Sequence, residues 1–172
     1  MIVAIMSLAN KITLGRAVLI APIIACLFWS RGSSGGAEVC RWVAFFLFGF
    51  ACLGDVLDGM AARSRNEITT WGQILDPLVD KALYVALICS LYVLGEVHLL
   101  SLILFVIPPV ALGVGAVVLG LGKRTVQSAR VLGKAAAFLS FLSMGFLMME
   151  WPGGRELLYA AIAASYVASV DY

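Results

Sequence analysis

Unbroken apolar runs separated by short polar turns dominate the chain. The run SLILFVIPPVALGVGAVVLGLG has the length of a membrane-spanning helix, about 20 residues, and none of the alternation that barrel strands need. The pattern predicts an all-α polytopic membrane protein with six transmembrane helices. The first runs from Ile12 to Trp29. The second starts at Val39, passes through FFLFGFACLG and ends in the polar stretch SRNEITT; the third runs from Trp71 to Leu94. The fourth runs from Leu99 to Leu121, with a kink expected at Pro108 and Pro109. The fifth is entered after GKRTVQSARVLGK and ends near Met149, and the sixth runs from Leu157 to the chain end. RGSSGGAE, the Glu96–His98 stretch and Glu150–Glu156 are turns. Pro77 is tolerated early in the third helix. The opening MIVAIMSLA is too short to span and precedes its positive charges, the reverse of a cleaved signal peptide, so an interfacial lead-in is expected.

Composition agrees with the pattern. The chain has 172 residues, of which 62% are hydrophobic and 13% charged, and a mean hydropathy of +1.02. A soluble domain is about half apolar. Six spans nearly exhaust this length, which predicts a single membrane domain over residues 1–172 with no soluble catalytic part. Cys26, Cys40, Cys52 and Cys89 lack metal or disulfide spacing and are expected to be small buried hydrophobes. His98 is expected to be a solvated turn residue.

Against this background residues 55–80, DVLDGMAARSRNEITTWGQILDPLVD, carry four carboxylates: Asp55, Asp58, Asp76 and Asp80. On helices, separations of three and four put each pair on one face. An ionised Asp at bilayer depth costs about 2.5 kcal/mol or more, and four together repel unless cations lie between them. Oxygen-only ligation selects a hard divalent cation such as Mg²⁺, Mn²⁺ or Ca²⁺. Gly59 and Ala62 share the face of Asp55, and Gly72 the face of Asp76 and Asp80, so a ligand can approach both backbones closely. Arg63 offers a guanidinium suited to phosphate. A pyrophosphate fits such a site.

The pattern Asp55-x2-Asp58-Gly59-x2-Ala62-Arg63-x8-Gly72-x3-Asp76-x3-Asp80 resembles, at every fixed position, the signature of the CDP-alcohol phosphotransferases. The resemblance implies that Asp55, Asp58 and Asp76 bind metal and that Asp80 both contacts metal and is the catalytic base. It also implies that Asp58, Gly59, Ala62, Arg63 and Gly72 line the CDP site. The cofactors would be two divalent cations, Mg²⁺ or Mn²⁺, and the lipid substrate CDP-diacylglycerol. The reaction would be a step of phospholipid biosynthesis that releases CMP, catalysed by a homodimer, with no nucleic-acid partner. DPLVDK also looks like the phosphatidylglycerophosphate synthase branch. So does the Asn-x2-Thr-x2-Arg pattern at Asn10, Thr13 and Arg16, in which Asn10 and Thr13 reach the diphosphate; the same two residues could equally cap and anchor the first helix.

Lys123, Arg124, Arg130 and Lys134 are read as the site for the acceptor's phosphate, with Arg130 and Lys134 four apart on one helical face. Basic residues there also set topology and bind anionic headgroups. LGKR and the later GK resemble the branch whose acceptor is glycerol 3-phosphate. The chain lacks that branch's Arg-Glu pair near Pro108, and its GKxKT is here Gly133-Lys134-Ala135-Ala136-Ala137. Inositol phosphate, serine and phosphatidylglycerol therefore stay open as acceptors. An intramembrane prenyltransferase would need more spans, and a cation carrier would leave Gly59, Ala62, Arg63 and Gly72 unexplained. With six spans, Lys11, Arg16, Arg63, Arg65, Lys81, Lys123, Arg124, Arg130 and Lys134 fall on one side and only Arg31, Arg41 and Arg155 on the other. The positive-inside rule then turns the aspartates toward the cytoplasm, in the cytoplasmic (inner) membrane.

Overall fold

The computed structural model describes residues 8–32, 35–65, 70–121 and 131–170; for 8–14, 55–65, 70–78, 80, 109, 112–121, 131 and 170 it describes the backbone alone. The described residues form six α-helices and no strand, as the apolar pattern requires: α1 (Leu8–Trp29), α2 (Ala37–Arg65), α3 (Thr70–Val93), α4 (Leu99–Leu121), α5 (Val131–Met148) and α6 (Gly154–Val170). α1 starts four residues before the expected Ile12 and so takes in Asn10, and it also runs through Pro22. α4 has the expected bounds and stays one helix through Pro108 and Pro109. α6 begins three residues early, because the polar Arg155 and Glu156 form its first turn rather than a loop. An acidic residue there complements the positive end of the helix dipole.

Two helix ends close by the same device. After α3, Gly95 adopts φ 80°, with Glu96 N–H donating to Leu91 O at 2.9 Å and Gly95 N–H to Tyr92 O at 3.0 Å. After α5, Glu150 adopts φ 55°, with Trp151 N–H donating to Phe146 O at 2.9 Å and Glu150 N–H to Leu147 O at 3.2 Å. Both are left-handed caps that satisfy the last carbonyls. The Trp151 and Phe146 rings meet edge to face at 5.3 Å across the second cap.

The chain divides within α3 into two compact units, residues 1–86 and 87–172. In the first, α1 and α2 form an antiparallel hairpin. Ile23 and Leu27 of α1 and Ala44, Phe48 and Ala51 of α2 are buried. The first half of α3 joins through Tyr84, whose ring lies edge-on to Phe48 at 6.2 Å and whose hydroxyl is 3.9 Å from Cys52 Sγ. In the second unit, α6 packs on both α4 and α5, burying Met144, Leu147, Met148, Leu158 and Ala161. A Cβ at Gly154 would stand 3.2 Å from the Leu147 backbone and side chain. Arg155 Nε donates to Glu96 O at 3.0 Å, with its Nη2 4.0 Å from Glu96 Oε2.

α2 shows how the surface is built. Val39, Val43, Phe46, Phe50 and Leu53, spaced by alternating fours and threes, are exposed, Phe46 by 64% and Phe50 by 69%. The buried stripe Ala44, Phe48 and Ala51 lies on the other side. A run of exposed aromatic and aliphatic groups of this size suits hydrocarbon and not water. Among the described residues, α2 is the one helix long and apolar enough to cross a membrane, over Ala37–Gly54 at a mean hydropathy of 1.5. The cysteines depart from expectation. All are free, but Cys26, Cys40 and Cys52 are half-buried and Cys89 is exposed, because their positions fall beside the buried stripes and not on them. His98 is exposed, as expected.

Candidate active site

The sequence-predicted site residues fall on three helices of the first unit. Asn10 and Thr13 lie on α1; Asp55, Asp58, Gly59, Ala62 and Arg63 lie on the last turns of α2. Gly72, Asp76 and Asp80 lie on the first turns of α3.

Helical register places these residues relative to one another. Continuing the buried α2 stripe Ala44, Phe48, Ala51 by four, three and four residues reaches Asp55, Asp58 and Ala62. On α3, stepping back from the buried Leu91, Leu87 and Leu83 by three, four and four reaches Asp80, Asp76 and Gly72. In sequence register the aspartates therefore continue the stripe that each helix buries further along, and not the exposed stripe of α2. Tyr84 fixes the relative height of the two helices, since it lies against both Phe48 and Cys52. Asp80 is one turn before Tyr84, a rise of about 6 Å on α3, and Asp55 is three residues after Cys52, a rise of about 4.5 Å on α2.

A second contact fixes α1. Arg16 is buried, 4% exposed, and its Cγ and Cδ pass 3.7 and 3.5 Å from where a Cβ on Gly54 would stand. Thr13 and Asn10 lie about one and two turns before Arg16 on α1. Sequence reading placed Arg16 in an N-terminal pattern and in the charge count but not against the carboxylate segment. The available signal was its spacing, seven residues before Ile23 and eleven before Leu27, on the stripe that α1 buries.

The donor set fits a hard divalent cation. It comprises carboxylates alone, and Cys52, the nearest cysteine in sequence, faces Tyr84. Among residues whose side chains are described, no group of three His, Cys, Asp or Glu could hold a metal; the four aspartates lie outside that set. Lys123, Arg124 and Arg130 also lie outside the described residues. Lys134, in the first turn of α5, is exposed. Two open clefts of the second unit, about 520 Å³ around Glu96, Glu150 and Arg155 and about 530 Å³ around His98 and Tyr159, involve none of the predicted site residues.

Aspartate pairs on two consecutive helices, with Asn10 and Thr13 on a third, define a class, and comparison with known proteins agrees. The chain belongs to the CDP-alcohol phosphatidyltransferase family, whose sequence model matches residues 6–170, and this places it among phosphotransferase enzymes. More particularly, it is 30% identical over 173 residues to a protein of Mycobacterium tuberculosis (strain H37Rv) named "Probable phosphatidylglycerophosphate synthase", covering 98% of this chain and 80% of that one. It is 30% identical over 182 residues to the CDP-diacylglycerol–glycerol-3-phosphate 3-phosphatidyltransferase of Bacillus subtilis (strain 168), covering 96% of this chain and 93% of that one. A protein of the same name from Rickettsia felis is 27% identical over 161 residues, with 94% and 84% covered.

Proposed function

We propose that this protein transfers the phosphatidyl group of CDP-diacylglycerol to the hydroxyl of glycerol 3-phosphate, giving phosphatidylglycerophosphate and CMP. The observation that carries this reading is the match of the family model over residues 6–170, a span that contains Asp55, Asp58, Asp76 and Asp80 at the signature spacing. The names of the Mycobacterium and Bacillus relatives support the choice of acceptor.

In this reading Asp55, Asp58, Asp76 and Asp80 hold two divalent cations, Mg²⁺ or Mn²⁺, whose charge would offset the diphosphate and ease the departure of CMP. Gly59, Ala62 and Gly72 leave room for the nucleotide against the helix backbones, and Arg63 pairs with a phosphate oxygen. Asn10 and Thr13 contribute donors from α1. Asp80 accepts the proton of the acceptor hydroxyl as its oxygen bonds to the lipid-linked phosphorus. The bond from that phosphorus to the bridging oxygen breaks, and its electron pair leaves with CMP. Lys123, Arg124, Arg130 and Lys134 bind the acceptor's phosphate. The six helices span the inner membrane, the site opens to the cytoplasm, and the protein works as a homodimer. The exposed apolar stripe of α2 supports placement in a bilayer.

The test is purified protein in detergent or vesicles with CDP-diacylglycerol, Mg²⁺ or Mn²⁺, and glycerol 3-phosphate, inositol phosphate, serine or phosphatidylglycerol in turn. CMP release and phosphatidylglycerophosphate formation with the first acceptor, both lost on chelation, are expected. Preference for another acceptor would replace glycerol 3-phosphate, and no CMP with any acceptor would refute the reaction.

A further inference from the structure

Arg16 is a full cation wrapped by protein inside an apolar helix pair. An arginine that only anchors a helix at the interface stretches its guanidinium into the headgroup water. Arg16 is 4% exposed instead, on the stripe of α1 that also buries Ile23 and Leu27. Its aliphatic stem crosses α2 at Gly54, 3.5 Å from where a Cβ would sit, and Asp55 is the next residue. Side chains lean toward the N-terminus of their own helix. Because α1 and α2 are antiparallel, that lean carries the guanidinium past Gly54 in the direction in which α2 proceeds to Asp55 and Asp58. A buried cation needs a negative partner at close range, and this end of α2 supplies a carboxylate pair.

We propose that Arg16 is a positioning residue of the carboxylate site: past the gap left by Gly54, its guanidinium holds the Asp55–Asp58 turn of α2 in the arrangement that binds the divalent cations. This rests on the reading of the aspartates as a metal site. Partners that hydrogen-bond to ligating carboxylates typically govern metal affinity by about 10–100-fold. Gly54 has a specific part in the proposal, because a larger residue there displaces the arginine without removing its charge.

The test is binding of Mn²⁺ to detergent-purified protein without substrate, followed by electron paramagnetic resonance, with CMP release measured in parallel. Arg16→Met removes the charge but keeps an apolar stem of similar length, so the buried position is filled. It is expected to elute and melt like the wild type yet to bind Mn²⁺ at least tenfold more weakly. Arg16→Lys should recover part of that loss. Gly54→Val should reproduce the loss with the arginine still present, whereas Gly54→Ala, whose Cβ makes an ordinary contact, should bind within about twofold of wild type. Unchanged or tighter Mn²⁺ binding in folded Arg16→Met overturns the proposal. If that variant does not fold, wild-type binding in Gly54→Val overturns it. A wild-type protein that binds no Mn²⁺ and releases no CMP would instead refute the reading of the site itself.

Discussion

Asp80 and Tyr84 stand one helical turn apart on α3, and their tasks are separable. Asp80 is the proposed base, and loss of a positioned base typically slows catalysis by about 10²–10⁴-fold. Asp80→Asn is therefore expected to lose CMP release on that scale while eluting as the wild type does. Full turnover in that variant would remove Asp80 from the role. Tyr84 sets helix height through its ring, since the hydroxyl contact to Cys52 is long at 3.9 Å. Tyr84→Phe should keep activity within about twofold, a weak thiol contact being a minor term. Tyr84→Ala should lose activity well beyond its loss of thermal stability, because α3 would lose its contact with Phe48 and Cys52 of α2 one turn from the proposed base. The aspartates, Gly59, Ala62, Arg63 and Gly72 were conspicuous as site candidates in the sequence because charge and small residues stand out in an apolar chain. Arg16 and Tyr84 were not, because their importance lies in which helix they touch, and hydropathy carries no information on helix pairing.

At the scale of elements, the helices could be found from the runs, and their ends were found where chemistry marks them. α4 ended as expected, but α6 began early because a first turn of Arg155 and Glu156 reads as loop until the helix dipole is considered. The left-handed cap at Gly95 is the sharper case: nothing lies within 4 Å of a Cβ built there, so only the φ of 80° opposes a side chain. Gly95→Ala should then cost about 1 kcal/mol, read as a lower melting temperature in detergent with activity intact. The cap also presents the Glu96 carbonyl that Arg155 holds at 3.0 Å, tying the start of α4 to α6. Gly154 differs from Gly95. Its constraint is space, with Leu147 backbone 3.2 Å away, and Gly154→Val should destabilise more strongly by forcing α5 from α6. Equal effects of these two substitutions would contradict this distinction between conformation and space.

At the scale of the whole molecule, the six-span reading makes a prediction about sides. In a background with the four native cysteines replaced, a cysteine at Glu96 or Trp151 should react with a membrane-impermeant maleimide added outside intact cells. One at Lys134 should react only after permeabilisation. Labelling of both sets from one side would break the odd-even alternation that six spans impose. Such an outcome would leave the family membership untouched and would require a different threading of the helices through the membrane.

α2 is a single rod of 29 residues, about 44 Å long, whose first part is greasy and whose last part is chemical. Its first part, Ala37–Gly54, is apolar, and the rest carries Asp55, Asp58, Gly59, Ala62 and Arg63. With the helix continuous through both parts, the proposed membrane placement makes the rod a gauge: the depth at which the apolar part settles sets the height of the carboxylates. Vesicles made from progressively longer acyl chains should draw the aspartates inward and slow turnover, while the same enzyme in detergent should be indifferent to substrate chain length.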